Sequence, residues 1–109
     1  MAKFTKTVRG DFPAVLEKVK NVVLNGSVSA TMEDAWDVNR GGCRCSVRVF
    51  ERYSYMGGNR VSMNVTLFQA SPGEPIELCA ITSGGSQATF FKVNTIGEEA
   101  FLDTLRGAF

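Results

Sequence analysis

The sequence predicts an α+β domain: a strand, a helix, a five-strand antiparallel meander and a second helix, with both helices on one face of a curved sheet. Three observations predict this fold. Two segments place apolar residues at helical spacing, the segments between them alternate with period two, and short glycine-containing turns separate those segments. The chain has no linker, repeat or low-complexity segment, so residues 1–109 are predicted to form a single domain.

The first strand is predicted at Lys3 to Val8, and the first helix follows it. Asp11 is the expected N-cap, and Pro13 falls in the first turn, where a missing N–H does no harm. Gly26 is expected to end the helix in a left-handed conformation. The apolar stripe of this helix comprises Phe12, Val15, Leu16, Val19, Val22 and Val23.

From Ser27 onward the apolar period is two, which indicates strands with one buried face. The residues predicted to face the helices are Val28, Ala30, Met32, Trp36 and Val38; then Cys43, Cys45, Val47, Val49, Glu51, Tyr53 and Tyr55; then Val61, Met63, Val65 and Leu67; then Ile76, Leu78 and Ala80.

Turn lengths fix the predicted register, because a slip of one residue would bring an apolar face opposite a polar one. We expect a two-residue turn at Gly41-Gly42, a three-residue loop at residues 57–59, a four-residue loop at residues 71–74 and a two-residue turn at Gly84-Gly85. The facing pairs that result are Trp36 with Val47, Tyr53 with Met63, Leu67 with Leu78, and Leu78 with Phe91. Gly84-Gly85 is interpreted as a hairpin turn rather than a phosphate cradle, because a strand-like segment without the Lys-Ser/Thr signature follows it.

The closing helix is predicted to begin at Thr95, which has the capping-box spacing to Glu98. Its apolar side comprises Ile96, Ala100, Phe101, Leu105 and Ala108.

Composition excludes several classes of function. The net charge of +1 gives no overall attraction to nucleic acid or to anionic lipid. Histidine is absent, which removes the commonest general base and the usual metal ligand, and no cofactor or metal is expected. The three cysteines fit reduced thiols in the cytoplasm. We expect neither a signal peptide nor a membrane-spanning segment.

Two stretches, RVFERYSYMGGNRVSMNVTLF and AITSGGSQATFFKVNTIGEEAFL, resemble a small uncharacterised bacterial family, a domain of unknown function found mainly in Gram-positive bacteria. The resemblance covers nearly the whole chain and implies a fold without an assigned activity. The predicted order of elements also resembles the TATA-binding-protein-like and helix-grip (Bet v 1/START-like) folds, in topology alone.

Polar residues on the predicted inner face indicate a candidate ligand site. Asp34 and Glu51 interrupt apolar faces of adjacent strands, where one carboxyl could have a raised pKa and act with the other as an acid–base pair. Tyr53 and Tyr55 continue that face, and Phe101 would wall the concavity. The alternative, which we favour, is that these carboxylates are solvated or paired with a lysine.

Two further groups are predicted on the outer face. Arg44, Arg48 and Arg52 form a row at spacings of roughly 13 Å, which could follow a nucleic-acid backbone or pair with Glu33 and Asp37. An apolar group indicates self-association, most simply as a homodimer. Its members are Phe50, Phe68, Cys79, Ile81, Ala88 and Phe90.

The sequence therefore favours a small cytoplasmic binding or interaction module without catalytic activity, with a small apolar ligand in the concavity as an option. The alternatives are an acid–base enzyme using Asp34 and Glu51, and a nucleic-acid-binding protein using the arginine row. No membrane partner is expected.

Overall fold

The computed structural model describes residues 1–54, 59–84 and 91–109. Its elements, in chain order, are β1 (Ala2–Val8), α1 (Phe12–Asn25), β2 (Thr31–Arg40), β3 (Cys43–Ser54), β4 (Asn59–Gln69), β5 (Ile76–Gly84) and α2 (Phe91–Arg106).

The strands form one open, fully antiparallel sheet in the order β1-β5-β4-β3-β2. The predicted α+β class is confirmed, with five strands and two helices. In the part of the chain that the structure describes, four strands rather than five follow α1, and β1 is the fifth member of the sheet, paired with β5 at its edge.

The predicted sixth strand is wrong from Phe91 onward, because α2 begins there. Thr95 lies inside this helix and is not its N-cap, and the pairing of Leu78 with Phe91 does not occur. Residues 85–90, with the predicted second half of the Gly84-Gly85 turn, lie outside the described residues. Glu98, expected to cap α2, instead accepts a hydrogen bond from the backbone N–H of Gly84, at 2.7 Å.

The N-terminus of α1 follows the prediction, and its C-terminus differs. The Asp11 carboxylate accepts a 3.1 Å hydrogen bond from the N–H of Ala14. Gly26 has a φ of −78°, which is right-handed, so the left-handed ending is wrong. Glycine fits closely there, since a Cβ at Gly26 would lie 3.0 Å from Thr104 Cγ2 of α2 and 3.0 Å from the backbone oxygen of Val22, and these neighbours would have to shift slightly.

The hairpin between β2 and β3 has the predicted register. Gly41 and Gly42 have φ values of 57° and 87°, which glycine reaches without strain, and Trp36 pairs with Val47. The strand begins at Thr31 rather than Ser27, and a bulge between Met32 and Asp34 shifts the pairing by one residue.

The predicted register between β3 and β4 is wrong, and this error inverts β3 together with Trp36 and Val38 of its partner β2, which were predicted to face the helices. Tyr53 pairs with Arg60 rather than Met63, and Phe50 pairs with Met63. The loop between the paired ends, Ser54 and Asn59, is one residue longer than predicted. The predicted inner face of β3 therefore points away from the helices, while Phe50 points toward them and is fully buried.

The loop between β4 and β5 confirms its predicted register, with Leu67 opposite Leu78. Both residues lie on the inner face of the sheet, the face that packs against the helices. The fully or nearly fully buried core comprises Phe12, Val15, Val19 and Val23 of α1; Phe50; Val61, Met63, Val65 and Leu67; Ile76, Leu78 and Ala80; Phe101, Leu102 and Leu105 of α2; and Ala2.

Candidate functional site

The outer face of the sheet, the face opposite the helices, carries a cluster of exposed and half-buried apolar side chains. Strand pairing places Trp36, Val47 and Cys79 on this face in one row across the sheet. Trp36 is 61% exposed, Phe68 41% and Ile81 39%. We call this cluster the outer apolar patch; its members are Trp36, Val38, Cys45, Val47, Val49, Phe68, Cys79 and Ile81.

Large apolar side chains at this exposure are uncommon when they adjoin one another on a single surface. All core residues of α1 and α2 pack against the inner face of the sheet. Within the described residues, the buried sides of the two helices therefore do not cover the patch. The patch is therefore a candidate interaction surface. Phe68 and Ile81 lie where the sequence analysis placed them.

Phe50 and Phe90 were predicted on the same surface. Phe50 is 0% exposed and belongs to the core, so its predicted outward orientation is wrong. The physical reason is the register of β3, which brings Phe50 opposite Met63 beneath the helices. Phe90 lies outside the described residues, as does Ala88.

The carboxylates predicted for the inner concavity lie on the outer face. Asp34 is opposite Val49, and Glu51 is opposite Thr31, so the two carboxylates are diagonal neighbours across β2 and β3. Asp34 is exposed and accepts a hydrogen bond from the N–H of Ala35 at 2.8 Å. The predicted apolar surroundings, on which the acid–base hypothesis depended, are therefore wrong.

Glu51 belongs to an ion-pair cluster at one end of the outer face. Arg60 Nε donates to Glu51 Oε1 at 2.7 Å, and Arg60 Nη2 lies 3.8 Å from Glu33 Oε2. The Arg60 guanidinium also lies 5.2 Å from the ring centroid of Tyr53, which is 52% exposed. Hydrogen bonding to Glu51 raises the pKa of Arg60 further above its ordinary value. Tyr55 lies outside the described residues.

The arginine row lies on the inner face, so the predicted outward row is wrong. The Arg44 guanidinium lies 5.7 Å from the ring centroid of Phe12, and that of Arg52 lies 4.7 Å from the ring centroid of Phe101. Phe101 is 0% exposed and is part of the packed core rather than the wall of an open concavity. The same inversion of β3 explains both corrections.

Arg48, in the middle of that row, is nearly buried and is held by Asp37. Arg48 Nη1 donates to Asp37 Oδ1 at 2.9 Å and Nη2 donates to Oδ2 at 3.2 Å. Ser46 Oγ donates to Asp37 Oδ1 at 2.6 Å. These hydrogen bonds, the one from Arg48 first, lower the pKa of Asp37 below its ordinary value, so this carboxyl stays ionised at neutral pH.

An open cleft lies beside this network, between the first turns of α1 and the β2–β3 hairpin. Its volume is about 310 Å³. It is lined by Phe12, Pro13, Leu16, Asp37, Val38, Asn39, Arg44 and Ser46. We call it the α1 cleft. The cleft was not predicted, because the sequence pattern places Arg44 on the outer face and Phe12 in the core.

The sequence also predicts the wrong face for Trp36, which is exposed, and for Val38, Val47 and Val49, which are half-buried on the outer face. Both faces of β3 carry apolar and charged residues, so alternation alone does not select the inner one. The available signal was Phe50, the largest apolar side chain of β3, on the face that otherwise carries three arginines. When Phe50 is buried, the three arginines of the same face also lie under the helices and need aromatic or acidic partners there. Arg44 and Arg52 lie over phenylalanine rings, and Arg48 pairs with Asp37.

Within residues 1–54, 59–84 and 91–109, no group of three His, Cys, Asp or Glu side chains is placed to hold a metal ion. The helices in that same part of the chain are also too short or too polar to span a membrane.

The geometry defines a small α+β domain whose open antiparallel sheet has helices on one face and an apolar cluster on the other. The chain belongs to a family of unknown function (DUF6054), whose family model matches residues 1–109. Comparison with curated proteins finds no match.

Proposed function

We propose that this protein is a non-enzymatic interaction module that self-associates through the outer face of its sheet, as a two-fold symmetric dimer. The observation that carries the proposal is Trp36, the only tryptophan of the chain, which is 61% exposed within the outer apolar patch. Burying such a patch against a second copy removes apolar surface from water at about 25 cal/mol per Å².

The outer face is large enough for a stable dimer. Five strands about 4.8 Å apart and about nine residues long, at ~3.3 Å per residue, give a face of roughly 24 by 30 Å, or about 700 Å². A typical specific interface takes about 800 Å² from each partner. The face therefore supplies nearly the area that one partner contributes.

One pair of charges on this face, Lys3 and Asp34, is complementary under one particular symmetry. Strand pairing places Lys3, Ile81, Asn64, Val49 and Asp34 in one row across the sheet, with the cation at one edge and the anion at the other. A two-fold axis parallel to β4, between two facing copies, exchanges β1 with β2. Lys3 of each copy then faces Asp34 of the other, and Ile81 faces Val49.

The same axis runs over β4, the central strand of the sheet, and brings β4 opposite β4 of the second copy. Phe68 lies on β4 and would meet Phe68 of the second copy near the axis. Trp36 would lie over Thr5 of the second copy, since both belong to the next row. Facing sheets pack with their strands about 30° apart, which the long side chains of Lys3 and Trp36 can span.

Sedimentation equilibrium and the fluorescence of Trp36 test the dimer together. We expect a dimer at micromolar concentration, with a blue shift of the emission as concentration rises, because Trp36 leaves water. Trp36→Gln should give a monomer. Val28→Gln is the matched control: Val28 is 100% exposed outside the strands and should leave the dimer unchanged.

A charge exchange tests the symmetry. Lys3→Glu or Asp34→Lys alone should weaken the dimer, because each brings like charges together, and the double variant should restore it. A monomeric wild-type protein at about 100 µM, or a dimer that persists in Trp36→Gln, would overturn the proposal. If the wild type dimerises but the double variant associates no more tightly than the single variants, the axis along β4 is refuted.

We keep the cytoplasm as the proposed location; the three free thiols support it, as such thiols persist in a reducing compartment. The origin in Gram-positive bacteria and the likeness to helix-grip folds stay predictions. We do not propose a ligand in the central concavity, where Phe101, Leu102 and Leu105 pack at 0% exposure.

A further inference from the structure

The α1 cleft has one apolar wall and one polar wall, which is the composition of a small-molecule site. Phe12, Pro13 and Leu16 form the helical wall, and the strands contribute Asn39 and Arg44. Its volume of about 310 Å³ is at the lower end of the range for ligand pockets, roughly 300–1,000 Å³. The cleft therefore suits a molecule with a single ring or a short branched chain.

The charges around the cleft favour an anion. Arg44 is half-buried, and within the described residues no carboxylate lies at ion-pair distance from it; its contact is the Phe12 ring. The carboxylate of Asp37 is already occupied by Arg48 and Ser46. Two guanidinium groups and one carboxylate leave a net positive charge beside an apolar wall.

We propose that the α1 cleft binds a small organic acid, a monocarboxylate with an aromatic or branched apolar body. The carboxylate would pair with the planar guanidinium of Arg44, which matches its geometry bidentately, and would accept from the side-chain amide of Asn39. The apolar body would lie against Phe12 and Leu16. Asp37, held by Arg48, sets the polarity of the cleft floor and selects against a second negative group on the ligand.

The α1 cleft opens on the helix side of the sheet and the outer apolar patch lies on the opposite side, with Val38 on the edge strand β2 as the residue that they share. Binding of an acid does not require the dimer, so the two proposals succeed or fail separately.

Titration of the isotope-labelled full-length protein with phenylacetate, followed by amide chemical shifts, tests the inference. We expect saturable shifts confined to the first turns of α1 and to the β2–β3 hairpin. Phenethylamine, which has a similar body and the opposite charge, should bind at least about tenfold more weakly, because charge-assisted pairing with a guanidinium is replaced by repulsion.

Variants at two arginines locate the charge. Arg44→Gln should weaken phenylacetate binding about tenfold, and Arg44→Lys should weaken it less, because a lysine keeps the charge and loses the bidentate geometry. Arg40→Gln is the matched control, an exposed arginine at the same hairpin that does not line the cleft. It should bind as the wild type does.

Each alternative result would overturn the inference: no saturable shift with phenylacetate, equal binding of phenethylamine, or unchanged affinity in both Arg44 variants. If Arg44→Gln does not fold, as judged by loss of dispersed amide signals, the Arg44→Lys variant and the comparison of phenylacetate with phenethylamine decide the question without it.

Discussion

Removing Asp37 should destabilise the fold more than removing Arg48, although the two residues form one ion pair. The Arg48 side chain is 9% exposed and that of Asp37 is 59% exposed. Loss of the carboxylate leaves a buried cation, whereas loss of the guanidinium leaves a carboxylate that water can solvate. The cost of breaking a pair depends on which partner is left behind in the interior.

The geometry gives the size of this difference. In Asp37→Ala, Arg48 loses two charge-assisted hydrogen bonds and keeps the backbone oxygen of Val47 at 2.9 Å and that of Trp36 at 3.4 Å. We expect a loss of about 2 kcal/mol, within the ~1.5–3 kcal/mol found for hydrogen bonds to charged groups. The partial exposure of Asp37 keeps the loss below the ~3–5 kcal/mol of a fully buried pair.

Arg48→Met should change the free energy of unfolding by less than about 1 kcal/mol, because methionine fills the space and Ser46 still donates to Asp37 at 2.6 Å. Urea unfolding followed by circular dichroism, at one protein concentration and neutral pH, measures both variants. The double variant should match Arg48→Met. An Arg48→Met variant that loses as much stability as Asp37→Ala would refute the reasoning.

The pair also has a defined pH dependence. The pKa of Asp37 in the folded protein lies below its ordinary value of 3.8, mainly because Arg48 donates to the carboxylate. The stabilisation is therefore fully present above the ordinary value and is lost as pH falls below it toward the lowered folded pKa. The advantage of the wild type over Asp37→Ala should narrow in that acid range and stay constant from about pH 5 to 7.

Two further predictions address the register of β3 and the cap of α1. Phe50→Ala should lower the free energy of unfolding by about 3–5 kcal/mol. Val49→Ala on the outer face should cost less than about 1 kcal/mol when both changes are made in the Trp36→Gln variant, in which the proposed interface is absent. Equal losses in urea unfolding would contradict the inward orientation of Phe50. Asp11→Ala should cost about 1 kcal/mol by the same measurement, because the N–H of Ala14 loses its acceptor, and Asp11→Asn should recover most of that loss.

Local chemistry explains which parts of the fold could be predicted. The N-cap at Asp11 and the tight turn at Gly41-Gly42 depend on a few adjacent residues, so both were visible in the sequence and are confirmed. The register that joins Leu67 to Leu78 follows from a loop containing proline and glycine, and it is confirmed as well.

The candidate site could not be predicted to the same extent, because it depends on which face of β3 is buried. One additional residue between Ser54 and Asn59 inverts that strand. The inversion moves Phe50 into the core and moves Val47 and Val49 to the outer apolar patch. Period-two alternation does not encode the number of residues in a loop, and a change of one residue reverses which face of the strand is buried.

The sequence by itself determined the class of fold, the N-terminus of the first helix, the turn at Gly41-Gly42 and the loop at residues 71–74. Only the tertiary structure decided that the segment from Phe91 is helical and that the arginines of β3 lie under the helices. The physical reason is that propensity and periodicity act between near neighbours. Burial of Phe50 with Phe101 and Leu102 depends instead on which face of the sheet packs against the helices. That choice is made only when the helices and the sheet come together.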